Sequence, residues 1–275
     1  MLDCLCDHFP AIERARWEAR FAAGRVLDEA GQPLPIGTPY RPSLCVRYFR
    51  EVPDEPQIPF TEDIVHADEH LVIVDKPHFI PVMPSGRFVE ETLARRVIRR
   101  LGNPELVPLH RIDRVTAGLV MFSARADTRG RYQALFRERR IAKRYLAVAP
   151  PLDPVPEIRE SRLVTGEPFF RMCEAPGEPN ALTHIELLCR DGDRAGYALR
   201  PVTGRKHQLR VQMAALGAPI LGDSLYPQVR DEAEDDYSDP LQLLAESLAF
   251  TDPLDGRPRA FRSALQLRSW PGEKR

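Results

Sequence analysis

The chain has 275 residues, 43% hydrophobic and 29% charged, with a formal net charge of −1; it is long enough to bury a sizeable core and ordinary in composition for a globular protein. No apolar run approaches the ~20 residues of a membrane span, and the N-terminus lacks the basic start and apolar stretch of a signal peptide. Five cysteines in a chain this long exclude a disulfide framework, so a cytoplasmic protein is expected.

In chain order, residues 11–24 read as a short helix with Ile12, Ala15, Ala19 and Ala22 on one face and Gly24 at its end. Residues 29–32 form the turn of a hairpin between Arg25-Val26-Leu27 and Leu34-Pro35-Ile36. Segment 51–59, Glu-Val-Pro-Asp-Glu-Pro-Gln-Ile-Pro, is rich in proline and acid without periodicity, the pattern of a linker. It divides a small N-terminal extension, residues 1–57 with the linker, from a main domain over 58–275.

Within the main domain, residues 71–75 are a buried strand stopped by Lys76-Pro77. Residues 90–100 fit a basic helix with Leu93, Val97 and Leu101 inward. Strands follow at 119–122, 145–148, 185–188 and 198–202, and helices at 128–139 and 207–216. The elements mix without the regular alternation of a doubly wound sheet, so an α+β fold is expected. There are no internal repeats and no low-complexity tracts.

Charge is segregated along the chain. Residues 87–144 carry fourteen Arg and one Lys against six acids, a net of +9, whereas acids gather at 51–69 and 231–236. Such a basic segment is the footprint of polyanion binding, with a solvated helix face as the plain alternative.

Three motifs carry chemistry. In His110-Arg111-Ile112-Asp113-Arg114-Val115-Thr116-Ala117-Gly118, an aspartate between two arginines has its anionic form favoured by Coulomb attraction, which suits a nucleophile or base; a structural ion pair at a turn is the other reading. Lys143-Arg144-Tyr145 opens a strand, and Tyr145 offers a flat face for stacking on a base or serves as an ordinary strand aromatic. In residues 201–213 a strand ends at Gly204 and a helix opens with Arg205, Lys206 and His207, placed to engage phosphates. Leu209 and Met213 share the helix's apolar face, with Arg210 beside them.

No metal site emerges. Cys4 and Cys6 have no second pair at ligand spacing, and His66, His70 and His78 lack a register with further ligands. There is no glycine-rich phosphate loop and no second carboxylate placed for glycosidase chemistry.

Together the motifs closely resemble those of the RluA-type pseudouridine synthases. The family's His-Arg-Leu/Ile-Asp-x-x-Thr-Ser/Ala-Gly matches residues 110–118, and its basic pair followed by Tyr matches Lys143-Arg144-Tyr145. Its Thr-Gly-Arg-x-His-Gln-Leu/Ile-Arg matches residues 203–210, and its Leu-Gly-Asp-x-x-Tyr matches 221–226. The match spans roughly residues 60–261.

That resemblance implies a mixed, largely antiparallel β-sheet core flanked by helices, with a central catalytic cleft. It implies isomerisation of uridine to pseudouridine in rRNA or tRNA, by a monomer that needs no cofactor, metal, membrane or obligate protein partner. Asp113 is then the catalytic carboxylate, Arg210 its ionic partner, Tyr145 the ring stacked on the uracil, and Leu209 a pocket wall. Arg111 fills the space that the flipped nucleotide leaves, while His110, Arg114, Thr116, Lys143, Arg144, Arg205, Lys206 and His207 contact RNA. Extrusion of the nucleotide is required because the glycosidic bond of a stacked base is out of reach.

The chain departs from the family at Leu244-Ala245-Glu246, where relatives often carry Leu-His-Ala. Residues 11–49 resemble the small RNA-binding module related to one ribosomal small-subunit protein, or else form a plain structural extension. A non-catalytic RNA-binding assembly factor is the competing function, disfavoured because Asp113 and Tyr145 are both intact.

Overall fold

The computed structural model describes residues 1–10, 12–49, 55–230, 233 and 236–272. The chain divides into two compact units, residues 1–54 and 55–275.

The first unit contains helices α1 (Leu2–His8) and α2 (Arg14–Ala22) and the antiparallel pair β1 (Val26–Leu27) and β2 (Arg47–Tyr48). The inward face of α2 differs from expectation. Ala15, Ala19 and Ala22 are exposed, and Trp17, Arg20 and Phe21 are buried instead. Both stripes have helical spacing, but aromatic side chains bury several times the area of an alanine methyl and so decide the orientation. Trp17 packs edge to face on Tyr48 at 4.9 Å, with the Arg20 guanidinium 4.7 Å from the Trp17 ring centre. The turn at residues 28–32 closes with Asp28 N–H donating to Gln32 O at 2.9 Å, and Leu34 N–H donates to Val26 O at 2.7 Å beside a Leu27–Pro33 bridge. The expected hairpin thus forms in part, while the regular strand paired with Val26–Leu27 is Arg47–Tyr48.

Residues 51–54 of the expected linker lie outside the described residues. Beyond them, segment 55–59 is packed rather than loose. The Glu55 carboxylate accepts the N–H groups of Val89, Glu90 and Glu91, and Ile58 is buried in the main core. Proline and acid content hid this role, because an acceptor for the backbone N–H groups of a turn more than thirty residues away has no local periodicity.

The main unit contains β3 (Asp63–Ala67), β4 (Leu71–Lys76), α3 (Leu93–Leu101), β5 (Val107–Pro108), β6 (Ala117–Ser123), α4 (Ala126–Arg137) and β7 (Ala142–Ala149). It continues through β8 (Ile158–Thr165), β9 (Met172–Ala175), β10 (Ala181–Asp191), β11 (Arg194–Pro201), α5 (Gln208–Ala215), β12 (Leu243–Thr251) and β13 (Pro258–Arg262). Among the described residues these strands form one sheet in the order β3-β4-β6-β12-β7-β11-β10-β8-β9, with β13 beside β12 and β5 beside β6. All pairs are antiparallel except β6–β12. This is the mixed, largely antiparallel α+β fold expected.

Period-2 alternation sorts the core onto two faces. Val72, Val74, Val120 and Phe122 pack on one face under α3, while Leu71, Ile73, Leu119 and Met121 pack on the other against Tyr132 and Leu135 of α4. Helix α3 starts at Thr92, whose hydroxyl accepts Arg95 N–H, and stops at Gly102 in the left-handed region. Leu93 and Val97 point inward as expected, but Leu101 is exposed in the last turn. Helix α5 sets Leu209 and Met213 against β7, β10 and β11.

The parallel contact of β6 and β12 depends on Gly118, at φ +110°. A Cβ there would lie 2.2 Å from the Ala245 carbonyl oxygen. The glycine that ends the 110–118 motif thus lets two central strands close at the site.

Candidate active site

Asp113 stands in the loop between β5 and β6, where Thr116 N–H donates to its carbonyl at 3.1 Å. Two side chains, one at the last residue of β4 and one just beyond it, hold this loop. Lys76, fully buried, donates from Nζ to the carbonyls of Pro77 at 2.9 Å and Arg114 at 3.1 Å, and His78 Nδ1 bonds Val115 O at 2.7 Å. Burial draws Lys76 down to a pKa of about 7, and the Asp113 carboxylate opposes that shift.

Arg210 lies in the first turn of α5 and is 3% exposed. Its Nε and Nη2 donate to the enclosed Asp223 at 2.8 and 2.7 Å, and its Nη1 reaches Asp113 Oδ2 at 3.1 Å. Burial alone would weaken its charge. The hydrogen bonds and charges of Asp223 and Asp113 outweigh burial and place the guanidinium above its ordinary pKa. Asp223 also accepts the N–H groups of Leu225 and Tyr226, so it fixes the loop after α5 as well as the arginine.

His207, expected at a phosphate, turns inward. Its backbone is left-handed at φ +55° and its side chain is only 10% exposed, with Nε2 3.9 Å from Asp113 Oδ1. The Tyr226 hydroxyl accepts Met172 N–H at 2.8 Å and lies 2.8 Å from His207 Nδ1. The histidine ring is thus held between the Tyr226 hydroxyl on its Nδ1 side and Asp113 on its Nε2 side. Burial lowers His207 to a pKa of about 4, with Asp113 opposing, so the ring is neutral near pH 7.

Tyr145 sits in β7 between Leu199 and Ala245 on the neighbouring strands, half-buried against the cluster containing Leu209 and Val115. Burial and then the Asp113 charge raise its phenol well above the ordinary value, so it stays protonated. Asp113, Tyr145, Leu209 and Arg210 therefore converge from a loop, a strand and a helix.

The remaining expected residues divide. Arg111 is exposed, with no partner among the described residues, beside a groove of about 650 Å³ lined by Met83, Pro84 and residues 107–111. Lys206 is exposed, and Arg205 is exposed with Nε on Asn180 O at 3.1 Å. Others are committed internally. His110 Nε2 accepts Met121 N–H at 3.1 Å and its ring stacks on Phe136; burial lowers it to a pKa of about 3. Arg114 donates to Phe79 O, Thr116 is buried, Lys143 donates to Thr203 O, and Arg144 pairs with Glu246. Glu246, in the Leu244-Ala245-Glu246 stretch, is the bulge residue of β12 and also binds Arg262 at 2.8 Å.

Much of the +9 segment is likewise neutralised by acids, several of them outside it. Arg96 engages Glu62 and Glu91, and Arg125 engages Glu69 and Asp127. Lys76, Asp223 and Tyr226 had no role assigned from sequence. Lys76-Pro77 reads only as a strand end, and the 221–226 motif only as a match.

The model of the family described as RNA pseudouridylate synthase matches residues 70–215, which include Lys76, Asp113, Tyr145, His207 and Arg210. The chain belongs to the RNA pseudouridine synthase family. It is 31% identical over 232 residues to an uncharacterized RNA pseudouridine synthase of Synechocystis, covering 82% of this chain and 79% of that one. It is 35% identical to the dual-specificity RNA pseudouridine synthase RluA of Pasteurella multocida, over 70% of this chain and 88% of the relative. Against Escherichia coli RluA the identity is 33%, over 73% and 91%. Among solved structures, human RNA pseudouridylate synthase domain containing 4 superposes with a TM-score of 0.58 at 25% identity, over 74% of this chain and 88% of that one. The chain is thus an RluA-type RNA pseudouridine synthase, an isomerase whose substrate is RNA.

Proposed function

We propose that this pseudouridine synthase acts on a uridine of structured rRNA or tRNA, extruding it into the cleft where Asp113 meets Arg210 and Tyr145. The observation that carries this reading is the Asp113 carboxylate held at 3.1 Å by a buried arginine, with a protonated tyrosine alongside. Two relatives are named dual-specificity RNA pseudouridine synthases, which supports action on more than one kind of RNA.

Two routes use the same groups. Asp113 attacks the anomeric carbon as nucleophile or removes a sugar proton as base; in both, the bond from the ribose to uracil N1 breaks. The freed uracil turns against the faces of Tyr145 and Leu209, and its C5 bonds the anomeric carbon as the Asp113 ester bond breaks or as Asp113 returns the sugar proton. The C5 proton then passes to the freed Asp113 carboxylate by way of the neutral Tyr145 hydroxyl, which accepts it as it gives up its own, and uracil N1 takes a proton. Arg111, exposed two residues from Asp113, takes the place of the flipped nucleotide in the RNA stack. Arg205 and Lys206 hold phosphates. The protein works as a cytoplasmic monomer, and its N-terminal unit adds RNA contacts.

Sequencing RNA from a deletion strain after carbodiimide treatment, which marks pseudouridine, identifies the target. Asp113→Asn is expected to abolish tritium release from 5-tritiated uridine in that RNA while binding stays within a few-fold, since phosphate contacts supply most of the affinity. Substantial turnover by the variant would refute the role of the carboxylate.

A further inference from the structure

The loop joining β8 to β9, residues 166–171, carries two aromatic rings into solvent. Phe169 is 80% exposed and Phe170 38%, and their rings meet edge to face at 5.6 Å and 77°. Single exposed apolar side chains are common, but two adjoining phenyl rings at the tip of a fixed hairpin form a shaped apolar surface. The loop is pinned at its base. Gly166 N–H donates to Arg171 O at 3.1 Å and Arg171 N–H to Pro168 O at 2.8 Å, while Thr165 pairs with Met172.

The base of this hairpin is connected to the active site through Tyr226. Met172 N–H donates to the Tyr226 hydroxyl, which holds His207, whose Nε2 faces Asp113. The Arg171 guanidinium lies 5.0 Å from the Tyr226 ring centre and donates to Pro227 O at 2.7 Å. Cations line the same hairpin: Arg162 stands in β8, and Arg205 reaches Asn180, whose side chain brackets Leu163 of β8. Glu167 is the acid within the loop.

We propose that Phe169 and Phe170 form a stacking platform for an unpaired nucleobase adjacent to the target uridine. The inference rests on the RNA-modifying reading and extends it to a specific subsite. Extruding one nucleotide exposes the π-faces of its neighbours to water. A pair of rings beside the cleft covers one such face without reading its sequence, and neighbouring guanidiniums take the adjoining phosphates. The platform ties strand opening to the same loop that orients His207 through Tyr226.

The test compares wild type with the F169S/F170S and F169W/F170W variants. Phe169 stands in solvent and Phe170 is partly covered, so the three proteins are expected to unfold within a few degrees of one another. The first probe is a fluorescein-labelled oligouridylate read by anisotropy, which requires no turnover. The serine pair is expected to bind it roughly ten-fold or more weakly and the tryptophan pair to restore binding, because base–aromatic stacking is lost and regained. The second probe is a stem-loop carrying the uridine found by carbodiimide sequencing. On it the serine pair should raise KM with little change in kcat, and abasic sites flanking the target should weaken wild type while leaving the serine pair unaffected. Wild-type affinity in the serine pair, or an undiminished abasic effect, would overturn the proposal. So would concentration-dependent dimerisation of wild type, absent from the serine pair, with RNA affinity unchanged. A wild type that forms no pseudouridine anywhere would instead refute the enzymatic reading and leave the oligouridylate comparison standing.

Discussion

Asp223 holds Arg210 by two hydrogen bonds of 2.7 and 2.8 Å, from a side chain wholly shielded from solvent. The arginine therefore reaches Asp113 already oriented, with one terminal nitrogen to spare for it.

Removing Asp223 strands a buried cation with a single, partly exposed counter-charge. Asp223→Ala is expected to cost about 3–5 kcal/mol of stability, as loss of one partner of a buried pair usually does. Asp223→Asn keeps the shape and should lose less stability, yet it should lower kcat more than it raises KM. Denaturant titration and single-turnover tritium release read the two effects separately. An Asn variant with full kcat would show that Arg210 needs no second carboxylate.

Tyr145 separates stacking from proton transfer. Tyr145→Phe keeps the ring, worth roughly 1–3 kcal/mol of stacking, so RNA binding should persist while turnover stalls after the glycosidic bond breaks. Tyr145→Leu should lose binding as well. Quenched single-turnover reactions show whether an intermediate accumulates. Phe turnover at the wild-type rate would leave Tyr145 only its stacking face.

RNA binding should weaken with salt less steeply than the +9 segment suggests, because Arg96, Arg125 and Arg144 already hold carboxylates. Of the exposed cations that form no ion pair among the described residues, four adjoin the site motifs or the basic segment's end: Arg111, Arg139, Arg205 and Lys206. Four such cations give a slope of log affinity against log salt on the order of −3, against roughly −7 for nine. A measured slope near −7 would mean that the internal pairs open on binding.

Stability should fall with acid well before the carboxylates titrate. Burial lowers His78 and His207 to about 4 and His110 to about 3, from 6.5. Between pH 6.5 and 4 the unfolded chain binds protons that the native protein refuses, so stability is present above the unfolded pKa and drains as pH falls. Each group contributes at most about 1.4 kcal/mol per pH unit across that window. Urea unfolding at pH 7 and pH 5 measures the loss, and His207→Gln should flatten part of it. Equal midpoints at the two pH values would mean that these rings titrate in the native state.

The sequence by itself marked the candidate site positions and most of the frame around them. Asp113, Tyr145 and Arg210 stand in short motifs whose residue types can be read without knowing their neighbours. The strands at 71–75 and 119–122 and the helix opening at 207 follow from local periodicity and turn residues. Strand β12 did not declare itself, since Leu-Leu-Ala-Glu-Ser-Leu-Ala-Phe-Thr has good helix formers, and only burial between β6 and β7 makes it extended. Partner choice was equally hidden. Lys76 on the Arg114 carbonyl, His207 turned from phosphate toward Asp113, and Arg144 spent on Glu246 are contacts between residues 38, 94 and 102 positions apart. Periodicity reports which face of an element is apolar. Which charge meets which is fixed only when strands distant in sequence pair, because burying a cation or carboxylate is tolerable only with a partner brought to it by the fold.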